Sequence, residues 1–281
     1  EHFPRQMQPL WMLKYLPNMT ASHIGIAHNA RGANNTIVLG DASSSLAMIE
    51  AATVIQRGVC DVMLTGGSGN RLSLTPVVYR GDSNLSHHDV PENASRPFDA
   101  ERDGMVLGEA AATLVFEERE HAERRGATIL GRVLSYSSTH AGSDVQNGMT
   151  YAIERSIAAC LEKSPRRKVG QVNAHGLSDV HHDRWEAHAI AHILGGKVPV
   201  TAPKSYFGNV GAASAALELA ASLCNPEVVL PTLNFAESEP DCHVSVACTP
   251  QDALDSTILK LNQAATGQAV ALLIETQHGR Q

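Results

Sequence analysis

The chain has 281 residues, 43% of them hydrophobic and only 4% aromatic, with a formal net charge of -7. That supplies a substantial core for one large domain or two modest ones, built from Ala, Val, Leu and Ile rather than from rings. Acidic and basic residues are mixed throughout; no Lys/Arg block suggests nucleic acid or an anionic membrane, and no apolar run is long enough to span a bilayer.

The chain opens on Glu1-His2-Phe3-Pro4-Arg5, neither a signal peptide nor an initiator-Met start, and is expected to be a cropped end. Thr36-Ile37-Val38-Leu39 predicts a short buried strand ended by Gly40-Asp41. Ser43, Ser44 and Ser45 are N-cap candidates for a helix carrying Leu46, Ile49, Val54 and Ile55, which Gly58 stops. Val62-Met63-Leu64 opens the next strand, closed by Gly66-Gly67, an order that suits a buried parallel sheet. After a polar stretch from about Asp82 to Asp103, Ala111 to Phe116 predicts another buried strand, and a charged helix from Glu117 to Arg125 ends at Gly126. A second unit begins at Ile129 to Leu134. It continues with a helix near Tyr151 to Leu161, a strand into Asn173, a helix from Asp183 to Leu194 and the strand Val198-Pro199-Val200. An alanine-rich helix from Ala212 to Cys224 and strands near Ile258-Leu261 and Val270-Ile274 close it. The similar order of both halves hints at duplication, without a clear sequence repeat.

Five scattered cysteines without CxxC spacing predict free, mostly buried thiols, Cys60 among them, in a reducing, cytoplasmic setting. Arg166-Arg167-Lys168 is expected to be a solvated turn. His181, His182, Asp183, His188 and His192 form a local cluster, and His188 and His192 share a helix face at i, i+4. Such a pair can bind zinc, but the metalloprotease glutamate spacing is missing, so a solvated or packing face is expected and no metal. Gly66-Gly67-Ser68-Gly69 matches a phosphate loop only loosely; a tight turn is expected, and no cofactor.

Three further segments carry more. Arg96-Pro97-Phe98-Asp99-Ala100-Glu101-Arg102-Asp103-Gly104-Met105-Val106-Leu107-Gly108-Glu109 is followed by Asn173-Ala174-His175-Gly176, with Asp183 and Glu186 downstream, and then by Lys204-Ser205, Gly208, Gly211-Ala212-Ala213 and Glu218. In order and spacing these resemble the β-ketoacyl-acyl-carrier-protein synthases, condensing enzymes of the thiolase-fold superfamily. The resemblance covers essentially the whole chain, as a synthase lacking roughly the first third of the family fold. It implies an α/β, thiolase-like, five-layered α-β-α-β-α fold, with residues 1–126 the remainder of an N-terminal half and 127–281 the C-terminal half. It also implies acyl carrier protein or another acyl thioester as partner, in a homodimer or a heterodimer with an active ketosynthase. A complementary segment is expected to complete the fold, since the chain alone would expose sheet edges.

In the family, a cysteine at a helix N-terminus accepts the acyl group and two histidines assist decarboxylation of a malonyl unit. Here Asp41 stands in the cysteine's place and Asn209 in that of the second histidine, while His175, Lys204 and Glu218 remain. A helix N-terminus favours ionised Asp, a weak nucleophile whose acyl product would be a reactive anhydride. Asp41 also suits a plain helix cap. Asn can donate a hydrogen bond but cannot exchange a proton near neutral pH. Asn262-Gln263-Ala264-Ala265-Thr266-Gly267-Gln268 replaces the family's Phe/Gly string and its oxyanion donor, and Leu177 and Asp179 stand where small hydroxyl residues meet the pantetheine arm. The coordinated losses point to a divergent, non-condensing subunit resembling chain-length factors. The alternatives are an acyl-thioester enzyme of altered chemistry using His175, for hydrolysis or proton transfer, and ordinary condensation.

Overall fold

The computed structural model describes residues 10, 13–80, 84–240 and 242–277; Glu1–Arg5 and the first residues of the Asp82–Asp103 stretch lie outside them. Helix α1 (Met19–Ala27) buries none of its residues, whereas α2 (Ser43–Gln56) enters the core through a single 3-10 turn at Gly40–Ala42. β1 (Val62–Asn70), α3 (Leu74–Arg80) and β2 (Glu109–Glu117) follow, and β1 pairs antiparallel with β2. α4 (Arg119–Arg124) is capped by Glu118, whose carboxylate accepts the His121 N–H. Next come β3 (Gly131–His140), α5 (Val145–Lys163), β4 (Gln171–Asn173), α6 (Val180–Leu194), β5 (Pro199–Thr201), α7 (Lys204–Phe207) and α8 (Ser214–Cys224). The short strands β6 (Val228–Val229), β7 (Ser245–Val246) and β8 (Gln251–Asp252) precede the long pair β9 (Thr257–Gln263) and β10 (Gln268–Thr276).

The main sheet runs β3-β10-β9-β4-β5-β7, antiparallel at the β3 side and parallel from β9 to β7. Alternate side chains of a strand point to opposite faces. Ala269, Ala271 and Leu273 of β10 therefore pack with Met149, Ile153 and Ile157 of α5 and Ile190 of α6. Val270, Leu272 and Ile274 join Met48 of α2 and Leu219 and Leu223 of α8 on the other side. Because both faces are covered, β9 and β10 read as near-continuous apolar runs. The layer of α2 and α8 lies between this sheet and the β1–β2 pair, whose Leu114 and Phe116 pack inward. The outward face of that pair leaves Val62, Leu64 and Val115 exposed.

Several expectations change. Thr36–Leu39 has strand composition but pairs with no strand among the described residues, and Val38 is 68% exposed; without a neighbouring strand the segment stays irregular, so the unit is not a parallel strand-helix-strand. Gly66-Gly67 and the glycines beyond it form no turn; they lie within β1, because the 209–213 loop presses on that strand. A Cβ at Gly69 would sit 1.9 Å from the Val210 carbonyl oxygen. β2 is half exposed, since only one of its faces is packed. The α2 N-cap is Ala42, not a serine; Ser43 instead accepts the Leu39 N–H and donates to Gly40 O. All five thiols are free, but only Cys160 and Cys242 are buried, while Cys60 is partly exposed. The Arg166–Lys168 turn is held by ion pairs from Arg166 to Asp255 and Glu275 and from Lys168 to Asp255. Among the described residues no helix is long and apolar enough to cross a membrane, and no His/Cys/Asp/Glu group could hold a metal ion.

The close approach at β1 makes a prediction. Gly69→Ala lowers the unfolding free energy by about 1–3 kcal/mol, the usual cost of overpacking. Urea denaturation measures it, and an unchanged midpoint would show that the loop can lift off the strand.

Candidate active site

Asp41 lies on the 3-10 turn before α2 and is 9% exposed. It caps nothing: the α2 N-cap has no side-chain hydrogen bond, and both carboxylate oxygens go elsewhere. Oδ1 is paired with the Arg71 guanidinium, just beyond the end of β1. Oδ2 accepts from Asn209 Nδ2 at 3.0 Å, and His175 Nε2 stands 3.9 Å from the same oxygen. Gly211 makes room for this arrangement. Its φ of +63° disfavours other residues, and a Cβ there would lie 2.7 Å from Arg71 Nε.

Asn209 is held on every side. Its N–H donates to Val106 O at 2.7 Å, and its carbonyl accepts from Gly108 N–H at 3.0 Å. Its Oδ1 accepts from Gly211 N–H at 2.9 Å. The amide is thus oriented with its NH2 toward Asp41.

His175 follows β4 and is 1% exposed. Asn262 Nδ2 lies 3.3 Å from His175 Nδ1, and Ser45 Oγ donates to Asn262 Oδ1 at 2.9 Å. With an amide donor facing Nδ1, the imidazole proton is assigned to Nε2, the nitrogen turned toward Asp41. Burial, reinforced by the positive charges of Lys204 and Lys260, holds His175 well below its ordinary pKa, so the ring is neutral near pH 7.

Behind His175, Glu218 of α8 is paired through Oε1 with Lys204 and through Oε2 with Lys260 of β9. All three are at most 2% exposed. Lys260 also donates to Leu261 O at 3.0 Å, Ala174 O at 3.3 Å and Asn173 O at 3.4 Å. Burial lowers the Lys260 pKa against the pull of Glu218, and neighbouring Lys204 lowers it further.

Two carboxyl groups of α6 hold the loop after β4. Glu186 accepts the His175 and Gly176 N–H groups at 2.8 and 2.9 Å. Asp183 accepts from Leu177, Phe98 and Ser178 N–H at 2.6, 2.8 and 3.0 Å, with Arg102 at 3.7 Å. Burial raises Glu186 to about 7 and Asp183 to about 6, despite these hydrogen bonds.

The structure therefore brings Asp41, His175 and Asn209 together, sets Lys204 and Glu218 behind them, and uses Asp183 and Glu186 as supports. Arg71 and Lys260 escaped sequence reasoning. Lys260 left a signal, a lone lysine inside the apolar run of β9, whereas Arg71 left none beyond following a glycine-rich segment. The segment after Asn262 is a tight hairpin, closed by Ala264 N–H to Gln268 O at 2.8 Å and Gly267 N–H to Ala264 O at 2.9 Å.

Two predictions follow from these buried charges. Glu218→Leu alone costs roughly 3–5 kcal/mol, because it strands two buried ammonium groups. The triple change Lys204→Met, Glu218→Leu and Lys260→Met recovers most of that loss in chemical denaturation; a triple variant as unstable as the single one would contradict this account. Glu186 has a folded pKa above its unfolded value, so its contribution to stability is complete below about pH 4.5 and is lost as pH rises through 7. The loss is on the order of 3 kcal/mol, and Glu186→Gln should flatten that slope in stability measured across pH 4–8.

The β-ketoacyl synthase N-terminal domain matches residues 1–122, and the β-ketoacyl synthase C-terminal domain matches residues 127–236. The chain is 34% identical to the oxytetracycline polyketide putative β-ketoacyl synthase 1 of Streptomyces rimosus, over 95% of this chain and 65% of that protein. It thus spans just under two thirds of that relative's length. Among solved structures it superimposes on a type II polyketide synthase ketosynthase, in complex with its acyl-carrier protein and bound to the hexaketide. The TM-score is 0.91 at 26% identity, covering 98% of this chain and 71% of that one. A structure described as the ishigamide ketosynthase/chain length factor matches with a TM-score of 0.88 at 24% identity, over 98% and 69% of the two chains. The architecture is the thiolase-like α/β fold of ketosynthases, and the chain belongs to the β-ketoacyl synthase family.

Proposed function

We propose that this chain serves fatty-acid or polyketide synthesis as a non-condensing subunit, paired with an active ketosynthase whose acyl-thioester space it shapes, as a chain-length factor would. One observation carries this reading: both oxygens of Asp41 are engaged, by Arg71 and by Asn209. An ion-paired carboxylate is a poor acyl acceptor, since its oxygens are held by Arg71 and Asn209 and are not free to attack a thioester. Asn209, held by hydrogen bonds of its backbone and its amide, cannot exchange a proton near neutral pH. In this reading Asp41, His175, Lys204 and Asn209 mark the old active site, and Asp183, Glu186 and Glu218 maintain its frame. The same proposal divides the chain into halves at 126/127, supported by the junction of the two family domains between 122 and 127. It involves acyl carrier protein as partner, no cofactor, and the cytoplasm as the setting suited to five free thiols.

A second reading has its own support. His175 is neutral and directs its Nε2–H toward Asp41 Oδ2 at 3.9 Å, so a His175–Asp41 pair for proton transfer on an acyl thioester is available without a cysteine.

Intact-protein mass spectrometry after incubation with acyl and malonyl carrier-protein thioesters tests both. The expected result is neither acylation nor malonyl decarboxylation by this chain alone, and altered product length beside an active ketosynthase. Stable acylation or decarboxylation by the chain alone would overturn the first reading. Thioester turnover unchanged by Asp41→Asn would exclude Asp41 from the second.

A further inference from the structure

The histidine cluster on α6 does not converge. His181 is exposed, and His192 Nδ1 turns outward to Glu154 Oε1 at 2.8 Å. His182 is different. Asp179, the N-cap of α6, accepts the backbone N–H groups of His181 and His182 at 3.0 Å each and meets His182 Nδ1 at 2.6 Å with the same oxygen. A carboxylate on Nδ1 fixes the ring's orientation and leaves Nε2 as the working nitrogen. Nε2 has no hydrogen-bond partner among the described residues, and the side chain keeps 15% of its surface exposed. The His182 carbonyl accepts from Gln263 Nε2 at 3.1 Å, which ties it to the end of β9 beside Asn262, the residue that contacts His175.

Other groups near the candidate site are committed or neutral. Asp41 and Asn209 bind each other, and His175 is uncharged. The charged and titratable groups around His182 include Asp179, Asp183, Asp41, His175 and the exposed His181, with the Arg102 guanidinium bonded to the Asp179 and Val180 carbonyls; from β9 the neutral Gln263 amide meets the His182 carbonyl. Burial works against ionisation of both members of the pair. Even so, the His182 hydrogen bonds hold Asp179 at about 2, and Asp179, aided by Asp183 and Asp41, raises His182.

We propose that Asp179 and His182 form a second acid-base pair at the edge of the Asp41–His175–Asn209 cluster, with the His182 Nε2–H donating a hydrogen bond to the carbonyl oxygen of a bound acyl thioester. This rests on the acyl-thioester reading above and names the residue that recognises the acyl group. It also gives Asp179 a function at a position where the family resemblance places a hydroxyl side chain.

Trp185 reports on the pair, since its ring meets the His182 ring edge-on at 5.1 Å. In a Trp11→Phe background, Trp185 emission should show a pH transition centred above the ordinary histidine value of about 6.5. His182→Gln removes the transition and His181→Gln leaves it. Asp179→Asn keeps a good helix cap, so the fold is retained, yet it moves the midpoint down by about one pH unit. The probe for binding is acetyl-pantetheine with the thioester sulfur replaced by nitrogen, titrated at pH 6 and pH 9. Wild type is expected to bind about tenfold tighter at pH 6, and His182→Gln to lose that difference; tenfold corresponds to about 1.4 kcal/mol. An unshifted midpoint in Asp179→Asn, or the same pH dependence in His182→Gln, overturns this assignment while leaving the acyl-thioester reading intact. No binding to either protein overturns both.

Discussion

The arrangement depends on one carboxylate shared by two ammonium groups. Glu218 takes Lys204 from the neighbouring α7 and Lys260 from the more distant β9, so three elements are joined at a point almost closed to water. A buried charge without a partner is strongly destabilising, so none of the three can be replaced singly without cost. Lys260 extends the effect by gathering the carbonyls of Asn173 and Ala174, the residues just before His175. The histidine's backbone is gripped from the other side by Glu186. Its position is thus set by buried charge on both sides, whether or not it does chemistry.

That framework also decides the character of the cleft. Burial, reinforced by two lysines behind it, keeps the His175 ring neutral, and the Asp41–Arg71 pair neutralises itself in front of it. A carboxylate at position 41 without a partner would be an isolated charge in a nearly closed site. Arg71 removes that penalty, and Gly211 provides the space for its guanidinium. Asp41 and Asn209 are therefore mutually adapted, since Asn209 donates to the oxygen that Arg71 leaves free. A histidine at 209 could donate there too, but Asn also turns its second atom to the Gly211 N–H and locks the loop.

Much of this was legible in the residues. The helices α2, α5, α6 and α8 and the strands β9 and β10 follow from periodicity and from glycine stops, because both local propensity and burial favour them. The segments that carry the family resemblance were also readable. Less legible were features that need a partner. Thr36–Leu39 has the composition of a strand, but a strand exists only beside another. The glycines of β1 looked like a turn because the loop that crowds them is more than a hundred residues away. The histidines of α6 looked like one cluster; only helix geometry and the Asp179 cap separate His182 from the rest.

By itself the sequence determined the family resemblance, the main helices and the closing strands, since these reside in residue identity and spacing along the chain. Only the tertiary structure decided how the charges of the site are paired. Arg71 and Lys260 are ordinary cations until folding brings them within hydrogen-bond reach of Asp41 and Glu218, because charge pairing depends on distance and burial, and neither is written in local sequence.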